Sequence, residues 1–195
     1  ANTLLDWRVK LLVKPSTSVV VGYGYDLPCK ADLLVTEIFD SVLLGEAVLP
    51  TLRDAHERLL APGARVIPHA ASIVAVLMQS ESEIAAMFAL QADGPIGAGA
   101  GERADGCWSP EPIHAHLDPL IASGRATPLS APFEAMRFDF ASAPIELHSH
   151  SRVQVRATAD GVVHAIGIWF DLQLDRKGTV HLATAPRFAS GGEAS

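Results

Sequence analysis

The apolar and polar positions of this chain change rhythm about one third of the way along. Residues 8–14 (RVKLLVK) and 17–22 (TSVVVG) alternate or run apolar and are rich in β-branched residues, which predicts two short strands around Pro15. GYGYDLPCKA then reads as a turn-rich connector. DLLVTEIF is a continuous apolar run, the pattern of a strand buried on both faces in a parallel sheet. From Gly45 to Leu60 the apolar residues Val48, Leu49, Leu52, Ala55, Leu59 and Leu60 recur at helical spacing, and Pro62-Gly63 should end that helix before another strand. Residues 1–68 are thus expected to form strand–loop–helix–strand units of an α/β sheet.

Beyond residue 68 the pattern becomes that of an antiparallel sheet. ASIVAVLMQS predicts a strand, ESEIAAMFAL a short helical or irregular piece, and QADGPIGAGAGERADG a glycine-rich loop. Ser109 and Pro110 stand where a helix would have its cap and first-turn proline. MRFDFA and RVQVRATA alternate, Asp160-Gly161 is a hairpin signal, VVHAIGIWFDLQLD is a long strand, and a turn at RKG leads into TVHLATA. Read from the residues, the expected fold class is an α/β fragment followed by a mostly antiparallel β-barrel or sandwich.

Composition narrows the classes. The chain has 195 residues, 49% of them hydrophobic, enough for a sizeable core. A net charge of −7 disfavours nucleic acid or an anionic membrane as the main partner. Two cysteines, Cys29 and Cys107, are too few for a disulfide scaffold and read as reduced thiols of a cytoplasmic protein. No apolar run reaches the roughly 18 residues that span a bilayer, and ANTLLDWRVK lacks the pattern of a signal peptide.

The candidate chemistry lies in LLVTEIFDSVLLGE. Glu37 sits at the exit of a strand and Glu46 nine residues on, where a helix opens. Ligands of open α/β sheets sit beyond the carboxyl ends of the strands. Two carboxylates held close repel unless a cation lies between them, and the forked guanidinium fits that place. The same acids are also explained structurally: Glu46 by the helix dipole and Glu37 by an arginine elsewhere in the chain. Phe39 is a pocket wall or a plug that anchors the loop. Asp40 either narrows the pocket or is a solvated loop acid. Trp169 and Phe170 are adjacent on an alternating strand, one facing the core and the other the opposite side. His114-Ala115-His116 and His148-Ser149-His150 are weak metal signals because no complete ligand set is visible, and no metal is expected.

The segment from ADLLVTEIFDSVLLGE through VLMQS resembles the protein arginine methyltransferases, and particularly their type III, monomethylating branch. Glu37 and Glu46 match the two acids of that family's double-E loop, which grips the substrate guanidinium. The flanking TEIFD and LLGE look like the type III version rather than the SEWMGY form. VKPSTSVVVG is similar to the strand pair before the loop, and IGIWFDLQLDRKGTVHLATAP to barrel strands carrying Trp169.

The resemblance implies methyl transfer from S-adenosylmethionine to a guanidino nitrogen. Glu37 and Glu46 would be catalytic, and Phe39, Asp40 and Trp169 substrate-binding. It implies residues 1–68 as the C-terminal part of a Rossmann-like domain and 69–195 as a β-barrel domain, with a dimerisation arm at about 108–130. The family's glycine-rich S-adenosylmethionine motif would lie before residue 1, and GYGYD is no substitute, so the cofactor is expected while its residues are unassigned. Expected partners are an arginine-containing protein or peptide and either a second copy or a missing N-terminal segment, since two or three strands and one helix leave apolar edges bare. The alternatives are a non-catalytic barrel that binds other subunits and a metal-binding β-barrel.

Overall fold

A computed structural model describes residues 9–80 and 114–189. The predicted helical piece at 81–90, the glycine-rich loop, Ser109, Pro110, Cys107, the first part of the arm and the tail lie outside the described residues. The chain divides into two compact units. One comprises residues 1–70, 138–149 and 173–180, and the other 71–137, 150–172 and 181–195.

In the first unit, β1 (Ala31–Val35) pairs in parallel with β2 (Leu60–Ile67), and the Thr36 N–H extends the ladder to the Ile67 carbonyl at 3.0 Å. Between the two strands runs α1 (Val48–Asp54), which continues as a π turn over Ala55–Leu59. Its inner face buries Val48, Leu52 and Ala55, the spacing that the sequence shows. The helix ends earlier than Pro62-Gly63 predicts, and β2 already begins at Leu60. The reason is register: the two-residue step from Ala31 to Leu33 faces a five-residue step from Leu60 to Arg65, and Gly63 takes φ +79° in that bulge.

Two strand expectations fail here. Residues 9–15 form no strand, residues 16–18 form a 3-10 turn, and Val21 makes only an isolated bridge to Leu27. Val9, Leu11 and Val13 are 68%, 83% and 91% exposed, so the alternation has no ladder or core to select it. Arg58 holds this segment by its edge, donating to the carbonyls of Val19 (2.8 Å) and Ser16 (3.2 Å) while both its Nε and Nη2 meet Asp54 at 2.6 Å. Nor is β1 buried on both faces: Leu33 and Val35 remain 39% and 66% exposed. That bareness is what a two-stranded parallel sheet with one helix dictates.

The second unit is built on β3 (Ala70–Gln79), β4 (Thr127–Pro128), β5 (Phe133–Asp139), β6 (Ala165–Gln173) and β7 (His181–Ala183), a curled antiparallel half-barrel in the order β4-β3-β6-β7. β4 takes only the end of the β3 edge, at Met78 and Gln79, and β5 also pairs with β3. α2 (Leu117–Ala122) lies over β6 at Gly167, where an added Cβ would sit 3.1 Å from Leu117 Cδ1 and from Val76 Cγ1. Val76, Met78, Leu120, Ala126 and Trp169 form the core cluster. RVQVRATA yields no strand, only a bridge from Ala157 to Ser130, because residues 151–160 stand almost wholly in solvent. No described helix is long and apolar enough to cross a membrane.

Candidate functional site

Glu37 and Glu46 stand at the two mouths of the loop joining β1 to α1. Glu37 follows Thr36, the last residue tied to the β2 ladder, and Glu46 lies in the turn that leads through Ala47 (φ +58°) into α1. Both are exposed, and among the described residues neither carboxylate has a hydrogen-bond or ion-pair partner. The nearby arginines are otherwise engaged, Arg58 with Asp54 and Arg53 with Glu57. Neither acid is therefore explained by pairing with a described arginine.

The loop between them is fixed from inside. Leu43 is fully buried although its φ is +75°, and Leu43 N–H donates to the Asp40 carbonyl at 3.0 Å. Asp40 Oδ1 accepts the Gly45 N–H at 2.9 Å. The half-buried Phe39 stacks on Phe140 with ring centroids 5.8 Å apart, and Phe140 stacks in turn on Phe138 at 6.4 Å. His56 Nε2 lies 2.9 Å from the Phe140 carbonyl and ties that aromatic layer to the π turn after α1. Phe39 thus anchors the loop with one face of its ring. Glu37, Phe39, Asp40 and Glu46 share this loop. Sequence reading missed Leu43, Gly45 and the Phe138–Phe140 layer. The alternation in MRFDF was visible, but not that it would underlie the loop.

Trp169 belongs to the second unit. It is 7% exposed, sits in the core cluster and meets Phe188 edge-on at 6.1 Å and 81°. Phe170 is buried as well (8% exposed), so adjacency on the strand does not send one of the two rings to solvent. Thr184 meets the Phe170 backbone, its N–H donating to the Phe170 carbonyl at 2.9 Å and its Oγ1 accepting the Phe170 N–H at 3.1 Å.

Among the described residues no group of three metal-ligating side chains converges. His164 Nδ1 accepts the Ser80 N–H at 3.2 Å, and His181 pairs with Asp171 at 3.1 Å. The described residues do not fit a nucleotide-like cofactor either. Gly22–Asp26 turns straight back, with the Gly22 N–H donating to the Leu27 carbonyl at 2.7 Å and Tyr23 98% exposed. No helix start follows to receive a ligand, as such a motif requires. The Asp26 carboxylate is taken by Lys14 (2.7 Å) and the Val20 N–H (2.9 Å), which hold it below the usual carboxylate range.

No family model matches the chain. Against curated proteins it is 37% identical over 197 residues to protein arginine N-methyltransferase 7 of Oryza sativa subsp. indica, a match covering 95% of this chain. This chain is a relative of the protein arginine N-methyltransferases. Protein arginine N-methyltransferase 7 of Aedes aegypti is 31% identical over 93% of the chain. The chain spans only about a quarter of these relatives, 26% and 27% of their lengths. Among solved structures, the Trypanosoma brucei PRMT1 enzyme-prozyme heterotetrameric complex with AdoHcy matches at a TM-score of 0.50 and 18% identity. That match covers 80% of this chain and 48% of the other. It bears out the expected fold class, a parallel α/β portion followed by a curled antiparallel half-barrel.

Proposed function

We propose that this chain carries the arginine-holding part of an S-adenosylmethionine-dependent protein arginine N-methyltransferase, with Glu37 and Glu46 as the acids that grip the guanidinium. The observation that carries this reading is the pair itself: two exposed carboxylates with no partner among the described residues, at opposite mouths of a loop whose interior is fixed. Two such carboxylates present acceptors to a planar fork of donors, so a bound guanidinium is both held and oriented. Orientation matters for methyl transfer because the guanidinium resists deprotonation and one nitrogen must be aimed at the donor. The methyl donor finds no cradle among the described residues, so no step is assigned to it.

Finer features of the reading are monomethylation, for which the TEIFD and LLGE flanks argue, and a cytoplasmic protein working as a homodimer. The bare apolar residues of β1 support a second copy or a further segment of polypeptide as the cover. Phe39 keeps its assignment to substrate binding, through the ring face opposite Phe140, and Asp40 supports the loop from within.

A second reading is a non-catalytic subunit that holds arginine-rich segments for another chain. Calorimetric titration separates the outcomes. An arginine peptide should bind better than its lysine counterpart, and Glu37→Gln and Glu46→Gln should each weaken it about ten- to a hundred-fold, the worth of a charge-assisted contact. Equal binding of both peptides, or unchanged variants, rejects the arginine clamp. Binding of S-adenosylhomocysteine by the same chain rejects the non-catalytic reading.

A further inference from the structure

The loop that presents the two glutamates is closed by one side chain. Asp40 lies three residues after Glu37, and its Oδ1 accepts the amide N–H of Gly45, the residue beside Glu46, at 2.9 Å. With Asp40 where it stands, a side chain at 45 collides with it: an added Cβ would overlap Asp40 Oδ2 and come within 2.6 Å of Asp40 Cγ, so one of the two must move. Asp40 and Gly45 are therefore matched to each other. The buried Leu43, at φ +75°, holds the middle of the same loop, so the Asp40 bond fixes the remaining free arm, the one that carries Glu46. We infer that Asp40 is a positioning residue, whose latch on the Gly45 amide sets where Glu46 stands relative to Glu37. This rests on the reading that the two glutamates hold a guanidinium.

The latch needs an acceptor at Oδ1, not a charge. Asp40→Asn retains a side-chain carbonyl there and removes the charge, whereas Asp40→Ala removes both. Gly45→Ala forces a methyl group against the carboxylate, and the double variant Asp40→Ala/Gly45→Ala relieves that clash. The full chain is titrated calorimetrically with an arginine peptide. Solvent exchange of the Gly45 amide is followed by NMR, and thermal unfolding establishes that each variant is folded.

Asp40→Ala and Gly45→Ala should each lose about ten-fold in affinity, with the double variant no worse than Asp40→Ala alone, because the two residues form one unit. Asp40→Asn should stay within about two-fold of the parent and keep the Gly45 amide protected. An Asp40→Asn variant as weak as Asp40→Ala overturns the inference, since the charge itself would then be meeting the guanidinium. Additive losses in the double variant overturn it too. Should Glu37→Gln and Glu46→Gln leave binding unchanged, the arginine reading falls. The exchange of the Gly45 amide across the Asp40 variants then decides separately whether the latch exists.

Discussion

Asp175 shows how much a single half-buried carboxylate can depend on its turn. Oδ2 accepts the Thr179 hydroxyl at 2.7 Å, and Oδ1 accepts the backbone N–H groups of Thr179 (2.7 Å) and Val180 (3.0 Å). The Thr179 hydroxyl, then the Val180 amide, pull its pKa down from 3.8 to about 2. Because the folded value lies below the unfolded one, folding favours the ionised form. The contribution is present in full above about pH 4 and is lost as pH falls through about 2. Asp175→Asn keeps an acceptor in the turn but cannot titrate. Its melting temperature should therefore fall less between pH 5 and pH 2 than that of the parent chain in scanning calorimetry. Equal falls would mean that the turn does not discriminate between the two protonation states. The contrast with Glu37 and Glu46 is instructive at this scale. Asp175 and Asp54 are consumed by their neighbours, whereas the two loop glutamates are exposed and have no partner among the described residues.

At the scale of elements, the bulge opposite β1 makes a clean test of local geometry. Gly63 has φ +79°, and an added Cβ would meet nothing within 4 Å, so Gly63→Ala introduces backbone strain without a clash. The expected cost is about 1 kcal/mol, seen as a fall of about 2–4 °C in melting temperature. No change would mean that the bulge relaxes into an ordinary conformation. The same bulge shows what a sequence conceals. Helical spacing over 48–59 was legible because an inner face must be apolar, but where the helix stopped was decided by Ala31 pairing with Leu60, a contact across the sheet. Strands β1, β3 and β6 were legible as well, since each has neighbours that reward its pattern. The described runs at 9–14 and 152–159 carry the same alternation and form no strand, because alternation states a preference that only a partner strand can satisfy. The two glutamates were legible from spacing and motif. The Asp40–Gly45 latch was not, since it depends on a backbone turn at Leu43 that no residue type announces.

The bulk behaviour of the chain should follow from what its parallel sheet leaves bare. Leu33 and Val35 lie two residues apart on β1 and so share one face, and both are more than a third exposed. Val9, Leu11 and Val13 add a further apolar run beside the first unit's own chain start. Parallel sheets are covered on both faces in folded proteins because their strands carry apolar residues on both sides. Uncovered area of this kind is removed from water most readily by another apolar surface. Opposing this, each chain carries a net charge of −7, which repels a second copy until salt screens it. The two effects predict self-association that strengthens with added salt, together with binding of a hydrophobic dye at neutral pH. Leu33→Lys combined with Val35→Lys should abolish both while changing stability by no more than about 0.5 kcal/mol per site, since exposed substitutions rarely exceed that. Analytical ultracentrifugation across a salt series, with dye fluorescence on the same samples, reads both effects. A parent chain that stays monomeric and dark at high salt would place the cover within the chain itself. If association instead survives the double lysine variant, the contact must lie elsewhere than on this face of β1.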